Sequence, residues 1–73
     1  MSQPKDMTAI DRHAAKLVKD ARLAKGLSQK ALALRLGVSF QQVQKYEKGT
    51  NRMSVGRFVQ IADVLGLRLA DLF

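Results

Sequence analysis

The spacing of glycine and serine constrains this chain more than any other feature. Gly26, Gly37, Gly49 and Gly66 each close a segment with helical character, and Ser28, Ser39 and Ser54 each open the next. Glycine suits the position just past a helix end, because the backbone there turns left-handed. Serine suits the position just before a helix, because its hydroxyl accepts from an amide of the first turn that has no helical partner. In Gly26-Leu27-Ser28 and again in Gly37-Val38-Ser39, the stop and the next start fall within one tripeptide. Punctuation this tight leaves no room for flexible linkers and dictates short helices joined by sharp turns.

The apolar residues agree. Thr8-Ala9-Ile10-Asp11 reads as a capping box opening a first helix, with Ala14, Leu17, Val18 and Ala21 as its inward stripe. A second helix is expected over Gln29–Leu36, with Leu32, Ala33 and Leu36 inward, and a third over Phe40–Lys48, where Ser39-Phe40-Gln41-Gln42 reads as a full capping box. A fourth is expected over Val55–Leu65, facing inward through Phe58, Ile61, Ala62 and Leu65, and a short fifth over Leu69–Phe73. No segment alternates with the period of two that marks a strand. The expected fold is therefore all-α, a compact bundle of about five short helices forming one domain over residues 8–73. Residues 1–7, which contain the only proline, are expected to form a disordered tail.

A 73-residue chain holds one domain and little else. With aromatics at 5%, its core has to be built from Leu, Val, Ile and Ala. There is no cysteine and a single histidine, His13, which reads as a solvated residue on a lysine-rich segment. No disulfide, metal site or cofactor is expected. The formal net charge of +7 favours a polyanionic partner, either nucleic acid or an anionic membrane surface. No apolar run approaches the roughly 20 residues of a membrane span, and the N-terminus lacks the apolar stretch of a secretory signal. The expected location is the cytoplasm, in association with the nucleoid.

The third helix carries the most informative chemistry. At about 100° per residue, Val43, Tyr46 and Glu47 share one face. Gln41, Lys45 and Lys48 occupy the opposite one, flanked by Gln42 and Gln44. Glutamine pairs bidentately with adenine N6 and N7, and lysine donates to guanine O6 and N7. The major groove, about 12 Å wide, admits one such helix. Thr50-Asn51-Arg52, just beyond it, suits phosphate contacts. A polar outer face is also the default for any amphipathic helix. Here it gains meaning from the tight turn before it and from the charge of the chain.

From Arg22 to Phe73 the sequence resembles the phage-repressor/Cro-like helix-turn-helix family, the XRE class. The resemblance is carried by Arg22-Leu23-Ala24-Lys25-Gly26-Leu27-Ser28-Gln29, by Ala31-Leu32-Ala33, and by Leu36-Gly37-Val38-Ser39. It continues through Gln42-Val43-Gln44-Lys45-Tyr46-Glu47-Lys48-Gly49 and Ile61-Ala62-Asp63-Val64-Leu65-Gly66-Leu67. It implies a lambda-repressor-like DNA-binding domain. It also implies that Gln29, with Ser28 at the helix start, binds a backbone phosphate and braces the third helix, that Phe40, Gln41 and Lys45 meet base edges, and that Arg22 and Glu47 form a partly buried ion pair. Gln42 and Gln44 complete the base-reading set, and Lys48, Thr50, Asn51 and Arg52 the phosphate set. Two departures stand out. Lys30 and Ala31 occupy positions where many relatives carry an acid, and Phe40 cannot hydrogen-bond. Phe40 either contacts a thymine methyl or packs against the second helix.

The function expected is a sequence-specific DNA-binding transcriptional regulator. The alternative is an antitoxin-type partner of a toxin that autoregulates its operon. A basic membrane-binding peptide is disfavoured, because sustained capping signals specify a globule. No nucleophile, phosphate loop or histidine–carboxylate cluster points to an enzyme. The expected partner is double-stranded DNA at a palindromic operator, bound by a homodimer that is weak off DNA, with Leu69 and Phe73 as candidate dimer contacts and Leu67 and Leu72 in the core.

Overall fold

A computed structural model describes residues 7–73. The expected disordered tail lies, but for Met7, outside the described residues. Four α-helices follow in order, α1 Ala9–Ala24, α2 Gln29–Leu36, α3 Phe40–Lys48 and α4 Val55–Leu65, and a 3₁₀ turn covers Leu69–Leu72. No strand occurs among the described residues. The short fifth helix is thus the 3₁₀ turn, its bonds closing three residues apart.

The caps set these boundaries. Ser28, Ser39 and Ser54 each accept a bond from the amide three residues on, at Ala31, Gln42 and Arg57. At Ser39 only the serine half of the expected capping box forms. The Gln42 amide does not return to the cap backbone, so its side chain stays available on the helix surface. Between α2 and α3 the chain reverses through Gly37, whose φ of 71° lies in the left-handed region that L side chains avoid. This residue makes the two-helix turn possible in so few positions.

Val18, Leu32, Val43 and Ile61, one from each helix, are wholly buried at the centre. Ala14, Ala33, Tyr46, Phe58, Ala62 and Leu65 close around them. Leu67 and Leu72 pack against this core from the C-terminal side, as expected, while Leu69 and Phe73 remain exposed. The inward stripe of α1 differs from the sequence reading in one place. Ala15 is buried and Leu17 only half-buried, because the helix turns its 15–22 edge toward α3, where Arg22 is also buried.

α1 opens on a complete capping box. The Thr8 hydroxyl accepts from the Asp11 amide at 3.1 Å, and the Asp11 carboxylate accepts from the Thr8 amide at 3.0 Å. The Thr8 backbone bond, then the Thr8 hydroxyl and the Arg52 guanidinium, hold the Asp11 carboxyl below its ordinary value of 3.8. A carboxyl depressed in the folded state contributes stability that is complete above that value and disappears as pH falls through and below it. Asp11→Asn is therefore expected to lower stability in urea melts near neutral pH. The gap between parent and variant should close as the melts are repeated at decreasing pH below 3.8. A gap that persisted unchanged into strong acid would mean that the Asp11 charge contributes nothing.

Candidate nucleic-acid interface

α3 is held by its inner face. Val43 and Tyr46 are buried in the core, and the Glu47 side chain is only 3% exposed. The charge of Glu47 is met by Arg22 on α1, itself 8% exposed at the side chain. Arg22 donates through Nε at 2.6 Å and through Nη2 at 2.9 Å, a bidentate grip on both carboxylate oxygens. Its Nη1 donates to the Leu27 carbonyl at 2.8 Å, and Gln29 Nε2 donates to Glu47 Oε1 at 3.1 Å. Bonding to Glu47 raises the Arg22 pKa above its ordinary value. One network thus fixes the end of α1, the turn after it, the start of α2 and the last turn of α3. The ion pair expected from the family pattern is present, and Gln29 is an additional member of it.

What remains outside on α3 is the face read from the helical wheel. Gln41, Lys45 and Lys48 are exposed, and Gln42 and Gln44 are half-exposed. With Glu47 turned inward and paired, this surface presents only amides and ammonium groups. Phe40 is half-buried at the first turn, with the Lys30 ammonium 5.5 Å from its ring centroid. That contact ties Phe40 to α2 by a cation–π interaction and leaves part of the ring edge accessible. Of the two roles open to Phe40, the structure therefore shows a contact to the second helix.

The residues expected at phosphates divide into two groups. Ser28 caps α2, leaving the Gln29 and Lys30 amides at the helix start without a partner among the described residues. Such amides favour an anion. Lys48 and Asn51 are exposed around the end of α3, as is Thr50, whose hydroxyl donates to the Lys45 carbonyl at 3.3 Å and finishes the helix. Arg52 has a partner that the sequence reading did not assign. Its Nε lies 3.0 Å from Asp11 Oδ2, clamping the turn after α3 to the start of α1. Asp11 and Arg52 are 41 residues apart, so no local periodicity announces the contact. His13 also has a partner: its Nε2 is 3.3 Å from the Asp71 carbonyl oxygen.

A family model described as helix-turn-helix matches residues 18–72, the span that contains this network and this face. The chain belongs to the helix-turn-helix family. The stretch that resembles the XRE class falls almost entirely within that match. An uncharacterized transcriptional regulator in the ATPase CF(0) region of Rhodospirillum rubrum is 45% identical to this helix-turn-helix chain over 64 residues, covering 88% of this chain and 59% of that protein. An uncharacterized HTH-type transcriptional regulator of Rickettsia conorii is 54% identical over 56 residues, covering 77% and 45%. The chain therefore spans about half the length of such curated relatives. Among solved structures, the restriction-modification controller protein C.AhdI from Aeromonas hydrophila superposes with a TM-score of 0.78 at 29% identity, over 90% of this chain and all of that one.

Proposed function

We propose that this helix-turn-helix chain is a sequence-specific DNA-binding transcriptional regulator that lays α3 in the major groove. The observation that carries the reading is the division of α3 itself. Its one acid is buried against Arg22, while Gln41 and Lys45 project from a helix fixed by Val43 and Tyr46. A rigid helix bearing amides and ammonium groups supplies the donors and acceptors that base edges require. Gln41 and Lys45 read bases directly, with Gln42 and Gln44 at the sides and Phe40 offering apolar contact. The start of α2, at Ser28 and Gln29, and the Lys48–Arg52 segment set the register on the phosphates. The names of the relatives as transcriptional regulators support this assignment. A regulator of this kind works in the cytoplasm on the chromosome.

Selection of bound duplexes from a random pool tests the proposal. A convergent sequence motif is the expected result, and a pool that stays random after repeated rounds of binding and elution refutes it.

One reading helix touches too few base pairs to find a site in a genome. We infer that the chain pairs with a second copy on a palindromic site, through α4 and the 3₁₀ turn. Leu69 is 44% and Phe73 88% exposed, and Val55 and Val59 of α4 are also exposed. Val59 and Leu69 flank a shallow groove of about 350 Å³. A few exposed apolar side chains make a limited interface, and interfaces well below about 1,200 Å² tend to be transient, which fits a dimer completed on DNA. Leu69→Ser with Phe73→Ser is expected to melt like the parent yet to lose cooperative binding to a palindromic duplex. Binding as cooperative as the parent's would place the dimer contact elsewhere.

A further inference from the structure

We propose that the groove between α1 and the end of α3 grips the phosphodiester strand beside the base-reading helix, which makes α1 a second DNA-contacting element. The inference rests on the DNA-binding reading above and extends its footprint. The groove has a volume of about 370 Å³, and small residues, Ala15 and Gly49, keep it open. Arg12, Lys16 and Lys19 line its α1 wall, spaced i, i+4 and i+7, and Lys48 lines its α3 wall.

The two acids in the groove are already engaged. Glu47 is bound by Arg22 and Gln29, and Asp20 by Lys16 at 2.9 Å. Among the described residues, no carboxylate pairs with Arg12, Lys19 or Lys48, and the guanidinium of Arg12 donates only to the Met7 carbonyl. Three positive charges thus converge on one concave surface without compensation, a surface for a polyanion.

Continuity identifies the polyanion. Lys48 borders both the groove and the outward face of α3, so a duplex seated on that face passes the mouth of the groove. The stripe from Arg12 to Lys19 rises about 10.5 Å along α1. That exceeds the roughly 3.4 Å of one phosphate step along a strand, so the three cations are spread over more than one phosphate. Flexible cationic stems reach phosphates as point charges without needing a fixed base-pair register.

Salt titrations test the idea on the parent, Lys19→Gln, Arg12→Gln with Lys19→Gln, and Lys25→Gln, using a duplex that the parent selects and the same duplex cut back to the base pairs beneath α3. Lys25 serves as the charge control, since its side chain lies near Gly66 at the far end of α4. The slope of log affinity against log salt should flatten by about 0.9 for Lys19→Gln and about 1.8 for the double variant. The flattening should occur on the long duplex and vanish on the short one, with base preference unchanged. Parent-like slopes for both variants would overturn the proposal, as would an equal flattening for Lys25→Gln. If the parent shows no base preference while Lys19→Gln still flattens the slope, the groove stands and the sequence-reading role of α3 falls.

Discussion

Glu47→Ala should be the most damaging single change in this chain, costing about 3–5 kcal/mol of stability. The reason lies in what the substitution leaves behind. Arg22 is 8% exposed at its side chain and cannot recover its hydration without opening the junction of α1, α2 and α3. The Gln29 amide loses its acceptor at the same time. For a domain of this size, a loss of 1 kcal/mol lowers the melting temperature by roughly 4–8 °C, so the expected drop is about 12–40 °C. Thermal melts of parent and variant measure it directly. Glu47→Gln keeps the side-chain shape and should lose less. Joint replacement of Arg22 by Met and Glu47 by Leu should recover much of the loss, because removing both charges leaves no unpaired ion. Moderate salt should barely change the result, since a pair this enclosed is poorly screened. A Glu47→Ala variant that melts within about 1 kcal/mol of the parent would mean that the pair behaves like a surface salt bridge.

Gln41→Ala and Lys45→Ala are each expected to weaken binding to the selected duplex by about 1–3 kcal/mol, roughly 5- to 150-fold, while leaving the melting temperature close to the parent's. Both side chains are exposed and make no side-chain bond among the described residues, so the fold does not depend on them. The loss should be confined to the selected sequence. On a scrambled duplex, Gln41→Ala should bind as the parent does, because a neutral amide contributes nothing to the counterion release that drives non-specific binding. Lys45→Ala should show a small further loss on both duplexes from its charge. Titrations of each variant on both duplexes separate the two effects. Equal losses on the two duplexes for Gln41→Ala would remove it from the base-reading set.

These expectations depend on features of different legibility. The helix limits were readable because caps are local. Ser28, Ser39, Ser54 and the glycines act within three or four residues of themselves, and the structure places α2, α3 and α4 where those residues put them. The outward face of α3 was readable for the same reason, since a wheel uses only spacing within one helix. The 3₁₀ geometry of Leu69–Leu72 was not, because a four-residue segment carries no period to distinguish it from an α-turn. Leu17 was misplaced in favour of Ala15 because an apolar stripe fixes a helix's rotation only to within a residue, and the Arg22–Glu47 network sets the final angle. Contacts between distant segments lay beyond reach. Arg52 with Asp11 and His13 with Asp71 join residues whose proximity exists only after folding. The Arg22–Glu47 pair spans 25 residues and the Gln29–Glu47 brace 18, and the family pattern alone announced both.

The most direct test of α3 as the sequence reader is to repeat the selection from random duplexes with Lys45→Ala in place of the parent. A base-reading Lys45 predicts that the variant's enriched motif loses preference at one position, or at two adjacent positions, of each half-site and keeps it at the others. An enriched motif identical to the parent's at every position would contradict it.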